Sequence, residues 1–97
     1  MYFNVNLLNN ITTKKIEDLQ KLLVLNRIRI LEILYKKDTC VCKMVEKLKL
    51  KHNLISHHLK ILSGMGYLES TRNGQHIVYK LVKAKKEIVT GIFNLIK

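Results

Sequence analysis

Apolar positions along the chain recur with a helical period, switch to strict alternation, and then return to the helical period. Thr12 or Thr13 can cap a first amphipathic helix in which Ile16, Leu19, Leu22 and Leu23 recur at spacings of three and four. Asn26 can cap the next segment, "RIRILEILYKK". There Ile28, Ile30, Leu31, Ile33, Leu34 and Tyr35 cover most of the circumference, which predicts a second helix at the centre of the core. Lys36 and Lys37 at its end suit the negative pole of the helix dipole. Asp38 or Thr39 can cap a short third helix with the stripe Val41, Met44, Val45 and Leu48. After the break "KLKLKH" comes a fourth helix within "KHNLISHHLKILSGMGYL". Ile55, Leu59 and Leu62 form its buried line, and Gly66 suits a left-handed end.

In "YLESTRNGQHIVYKLV" the period falls to two on either side of Asn73-Gly74, the strongest short-range hairpin signal. The tail "KAKKEIVTGIFNLIK" predicts a last helix with Ile88, Ile92, Leu95 and Ile96 on one face. The expected class is mainly α with a β-hairpin wing, in the order α-α-α-α-β-β-α, which is a winged helix-turn-helix. Residues 13–97 should form this one domain, with residues 1–12 as an N-terminal arm or an extra helical turn. A chain this short buries only about two-thirds of its unfolded surface. The first and last helices carry apolar faces that so small a core cannot cover, which predicts a homodimer built on those two helices.

No apolar run approaches the ~20 residues that span a bilayer, so no membrane association is expected. The start "MYFNVNLLNN" has neither a basic region nor a small-residue cleavage site, which predicts a cytoplasmic protein with reduced thiols. The chain has no phosphate-cradling glycine loop, no paired carboxylates and no supported nucleophile–histidine trio, so an enzyme is not expected.

Charge then narrows the partner. Eighteen Lys and Arg against seven Asp and Glu give a net charge of +11, enough to attract a polyanion over a Debye length or more. Asn53, Ser56, His57 and Lys60 line the side of the fourth helix opposite its buried line. These are hydrogen-bonding heads, not the Glu and Lys pairs of a merely solvated face. Asn can pair with adenine through two bonds, Ser and His can reach groove-edge donors and acceptors, and Lys51 and Lys60 suit flanking phosphates. Lys51 and His52 fall in the first turn, the part of such a helix that meets base edges. At the hairpin tip Arg72 and Gln75, with His76 beside them, suit a backbone or minor-groove contact. The expected partner is double-stranded operator DNA.

From about Glu17 to Leu81 the sequence resembles the ArsR/SmtB family of winged-helix repressors. The segments that carry the resemblance are "NRIRILEIL", "TCVCKMVEKL", "NLISHHLKILSGMGYLES" and "RNGQHIVYKL". It implies a homodimer, paired through the first and last helices, that binds a palindromic operator and releases it when an effector binds. Two departures stand out: "VLNR" replaces the usual "DPTR" before the second helix, and Lys51 stands where a Ser commonly opens the recognition helix.

Both cysteines lie in "KKDTCVCKMVEKL". In arsenic- and cadmium-sensing members of the family a Cys-Val-Cys here supplies thiolate ligands, so the resemblance implies Cys40 and Cys42 as ligands for As(III), Sb(III) or another thiophilic effector, with no required cofactor. Residues i and i+2 of a helix are about 200° apart, so on a helix these thiols could not hold one ion. In an extended segment their alpha carbons lie roughly 6.6 Å apart on one face. Effector binding is therefore expected to unwind the first turn of the third helix and shift the recognition helices of a dimer. Val45 stands where arsenic-sensing relatives often carry a third Cys, and the last helix lacks the Asp and His pairs of the family's zinc site. His52 and His57 fall on the DNA face and His58 beside the core line, so histidine ligation is not expected. The alternatives are an effector-independent winged-helix regulator or architectural protein with vestigial cysteines, a redox or persulfide switch, and a protein-interaction module.

Overall fold

The computed structural model describes residues 12–96, so the expected N-terminal arm lies, but for Thr12, outside the described residues. Helix α1 (Thr13–Leu22) is followed after two residues by α2 (Leu25–Lys36). A two-residue strand β1 (Thr39–Cys40) leads straight into α3 (Val41–Leu48), and α4 (His52–Gly64) comes next. Strands β2 (Leu68–Asn73) and β3 (His76–Leu81) form the hairpin, and a 3₁₀ turn (Lys83–Lys85) opens α5 (Lys86–Ile96). The order matches the predicted winged helix-turn-helix, with one addition: the sheet has three strands in the order β1-β3-β2.

Two helix starts also differ from the expected ones. Helix α2 begins before Asn26, with extended Val24 at its cap position. Helix α3 begins at Val41, with Cys40 at the cap position in extended geometry (φ −80°, ψ 159°). The Thr39 hydroxyl does not cap α3; it donates to the Lys37 carbonyl at 2.8 Å. Antiparallel pairing of Thr39 with Tyr79 and of Cys40 with Val78 holds this stretch extended. The competing helical preference of "TCVCKM" loses to a pairing made far along the chain.

The core takes most of its members from the predicted helical stripes, with Tyr67, Leu68 and Val89 added. Ile30, Leu31 and Leu34 of α2 meet Met44 and Leu48 of α3, and Ile55, Leu59 and Leu62 of α4. Leu22, Tyr67, Leu68, Val89 and Ile92 close it. Each such side chain contributes about 1.5–3 kcal/mol on burial. The outer helices each give little to it. Ile16, Leu19 and Leu23 on α1 and the following turn, and Ile88, Leu95 and Ile96 on α5, remain exposed. Tyr35 ties α2 to α5, bonding the Thr90 hydroxyl at 2.8 Å and packing edge-on to Phe93.

Two turns set how α4 and the hairpin follow the elements before them. Between α3 and α4, Lys49 takes the left-handed conformation at φ +55°. In the hairpin Asn73 pairs with His76, so the two-residue loop is Gly74-Gln75, one position later than an Asn-Gly turn would be. Gly74, at φ +65°, supplies the positive φ that a II′ turn requires at its first central position.

Candidate nucleic-acid interface and adjoining thiol cluster

Helix α4 buries Ile55, His58, Leu59 and Leu62 and turns its other side outward. Lys51 stands at its cap position, and His52, Asn53, His57 and Lys60 are exposed, with Ser56 half-buried. The structure therefore places these candidate DNA contacts on one helix, with His52 Nδ1 and the Ser56 hydroxyl 3.4 Å apart. His58 points the other way: its Nδ1 accepts from Arg27 Nε at 3.1 Å. Arg27 also donates to the Lys21 carbonyl at 2.6 Å, so one guanidinium links α1, α2 and α4. Burial, then the charges of Arg27 and His57, hold the His58 imidazole below its ordinary pKa.

Of the two wing candidates, the structure brings Gln75 to the helix. A cleft of about 200 Å³ is lined by His52 and Ser56 of α4, Gln75 and His76 of the wing, and both cysteines. Arg72, exposed on β2 opposite Ile77, does not line it.

The thiols depart from the expectation. Because Cys40 belongs to β1 and only Cys42 to α3, they are not on opposite sides of one helix. The two sulfurs and a ring nitrogen of His76 all lie within 4.8 Å of one another. Cys42 Sγ is 3.8 Å from His76 Nδ1. The thiols thus converge with α3 intact, and no unwinding is needed to bring them together. Side-chain hydrogen bonding between the two thiols holds the pKa of Cys40 below its ordinary value and that of Cys42 above it. The Lys43 amide at the start of α3 also favours the Cys40 thiolate.

His76 is the residue the sequence did not assign to this cluster. It lies far from the cysteines along the chain, and the β1–β3 pairing that joins them has no local signal. Val45, where a third thiol would stand on α3, packs half-buried against the core. Two thiols beside an imidazole can hold a thiophilic ion, and the acceptor- and donor-rich side of α4 lies along the same cleft. No helix among the described residues is long and apolar enough to cross a membrane.

Known proteins share this arrangement of helices and wing. Residues 26–70 match the family described as "Bacterial regulatory protein, arsR family". The chain is 37% identical over 71 residues to an uncharacterized HTH-type transcriptional regulator of Methanocaldococcus jannaschii, an alignment covering 71% of this chain and 80% of that one. It is 36% identical over 55 residues to the HTH-type transcriptional repressor SmtB of Mycobacterium tuberculosis, covering 57% of this chain and 41% of the repressor. Among solved structures it superposes on the homodimeric winged helix-turn-helix DNA-binding domain of a possible ArsR-family regulator from Mycobacterium bovis. The TM-score is 0.79 at 16% identity, over 98% of this chain and 89% of that one.

Proposed function

The chain belongs to the ArsR/SmtB family of winged helix-turn-helix, DNA-binding transcriptional regulators, and on that premise we propose a homodimeric repressor released from its operator by As(III), Sb(III) or another thiophilic species at Cys40 and Cys42. The observation that carries this is the shared cleft: the two thiols lie beside His52, Ser56 and Gln75, three of the side chains offered to DNA. A ligand bound to the sulfurs meets the reading surface directly, so release needs no long relay.

Lys51 and Lys60 hold flanking phosphates, while His52, Asn53, Ser56 and His57 read base edges in the major groove. Arg72 and Gln75 extend the contact from the wing. The exposed apolar faces of α1 and α5 supply the dimer interface, which sets two recognition helices a fixed distance apart for a palindromic site. When As(OH)₃ reacts with the dithiol, two As–S bonds form and two As–O bonds break. The thiol protons leave with the hydroxides as water, and one hydroxide or a small thiol stays as the third ligand. A coupling of about 1–3 kcal/mol loosens the operator some five- to 150-fold.

The test is a duplex titration with and without As(III), in the wild type and in the doubly substituted variant Cys40→Ser, Cys42→Ser. Release from the wild type alone is expected. Equal release from both proteins assigns the sensor elsewhere, and no release from either favours the effector-independent regulator with vestigial cysteines.

A further inference from the structure

We infer that Lys21, Arg27 and Lys60 form a phosphate-binding hollow at the corner where α1, α2 and α4 meet, and that its occupant is the sugar-phosphate backbone of the bound duplex. The inference rests on the proposed DNA contact of α4 and adds to it two residues outside that helix, Lys21 and Arg27. The hollow has a volume of about 480 Å³, and Ile61, Gly64 and Met65 complete its lining. No carboxylate lines it, and among the described residues the one ion pair joins Lys80 to Glu69 in the hairpin. Three cations thus converge with no anion among the lining residues. The Arg27 guanidinium is also held in place. Its Nε donates to His58 Nδ1 at 3.1 Å and its Nη1 to the Lys21 carbonyl at 2.6 Å. Those bonds use two of its five N–H donors on neutral acceptors, which leaves a fixed, charged fork suited to phosphate.

The position of Lys60 selects the occupant. It continues the outward side of α4 that carries Asn53, Ser56 and His57, at spacings of seven, four and three residues. Lys51, at the cap position, stands nine residues before it, about 13.5 Å along the helix axis. The major groove is about 12 Å wide, so a helix laid across it presents Lys51 to one backbone and Lys60 to the other. The hollow opens beside Lys60, and a backbone that meets Lys60 comes within reach of Arg27 and Lys21. A free anion would gain nothing from that alignment with the polar side of α4. Because Arg27 bonds the backbone at the end of α1, a phosphate held here also braces a helix of the proposed dimer interface against the duplex.

The experiment measures binding of the tag-free full chain to a random-sequence duplex over a range of salt, because phosphate contacts set the salt slope. Lys21→Ala is the leading variant: Arg27 bonds the Lys21 backbone carbonyl, so truncating the side chain leaves that link intact. It should make the slope shallower by about 2, one contact per protomer, and Arg27→Gln should do the same. Lys36→Ala makes the same charge change at the other end of α2, beside Phe93, and should keep the wild-type slope. Urea midpoints verify that the variants are folded under the titration conditions. Wild-type slopes in Lys21→Ala or Arg27→Gln, or an equal loss in Lys36→Ala, overturn the inference. So does saturable calorimetric binding of inorganic phosphate to the DNA-free chain that Lys21→Ala abolishes, which would give the hollow to a free anion. A slope near zero in the wild type removes the DNA reading and this inference with it, whereas a steep wild-type slope unchanged in Lys21→Ala removes the hollow alone.

Discussion

The Nε of Arg27 donates to Nδ1 of His58 at 3.1 Å, which fixes the one buried histidine of α4 as a neutral acceptor with its proton on Nε2. The folded state thus lowers the His58 pKa from 6.5, through burial first and the Arg27 and His57 charges after it. Below about pH 6.5 the unfolded chain takes up a proton that the folded chain resists. The stabilisation is whole above that pH and is lost as pH falls through the folded value. Denaturant midpoints at pH 7 and pH 5 should separate more in the wild type than in His58→Gln; equal separations would refute the assignment. Arg27→Ala, which leaves a buried acceptor unpaired, should cost about 1–3 kcal/mol at neutral pH.

Lys49 makes the turn of the helix-turn-helix in a left-handed conformation at φ +55°. A side chain there costs roughly 1–2 kcal/mol that glycine avoids, while glycine loses more freedom on folding. The strain outweighs that lost freedom, so Lys49→Gly should stabilise the domain by up to about 1 kcal/mol in urea unfolding. A lower midpoint in the variant would show that the backbone is not strained at this position.

Duplex affinity should be steeply salt dependent. A dimer that neutralises roughly eight phosphates gives a slope of log affinity against log salt near −7. Lys51→Ala and Lys60→Ala, exposed at the start and the middle of α4, should each make that slope shallower by about 2, one contact per protomer. A slope near zero in the wild type would remove the DNA interface altogether.

Asn53→Ala should act differently, weakening a specific site by about 1–3 kcal/mol per half-site and leaving binding to random duplex unchanged. Competition between the two duplexes checks it. Equal weakening on both would make Asn53 a backbone contact.

Leu95 is 86% exposed and Ile88 44% exposed on α5. Leu95→Asp should convert the dimer to monomer in sedimentation equilibrium and weaken duplex binding without loss of helix content. A dimer that survives both Leu95→Asp and Ile88→Asp would place the interface elsewhere.

The helices were legible because Ile55, Leu59 and Leu62, or Met44 and Leu48, repeat on one face, and that local pattern coincides with what the core buries. Gly66, at φ +84°, ends its segment as its position suggested. The hairpin was legible in kind and one residue off in its loop, because pairing Asn73 with His76 makes Gly74 the first turn residue. Strand β1 left no trace: two residues cannot show alternation, and the partners of Thr39 and Cys40 are Tyr79 and Val78. The candidate site inherits that blind spot. The exposed polar face of α4 could be read from spacing, whereas the approach of His76 to the thiols depends on a strand that exists only in the folded chain.

The same pairing bears on folding. The β1–β3 contact closes a loop that contains α3, α4 and β2, so it carries a large closure entropy and belongs among the late steps of folding. The imidazole therefore joins the two neighbouring sulfurs only when the enclosed segment is in place. A ligand that needs all three side chains binds the completed fold more tightly than the unfolded chain, where only the neighbouring thiols are at hand, and at a hundredfold excess over its dissociation constant it would raise global stability by at most about 2.7 kcal/mol. A ligand of all three groups should thus also slow proteolysis of the chain, a consequence the thiols alone would not bring.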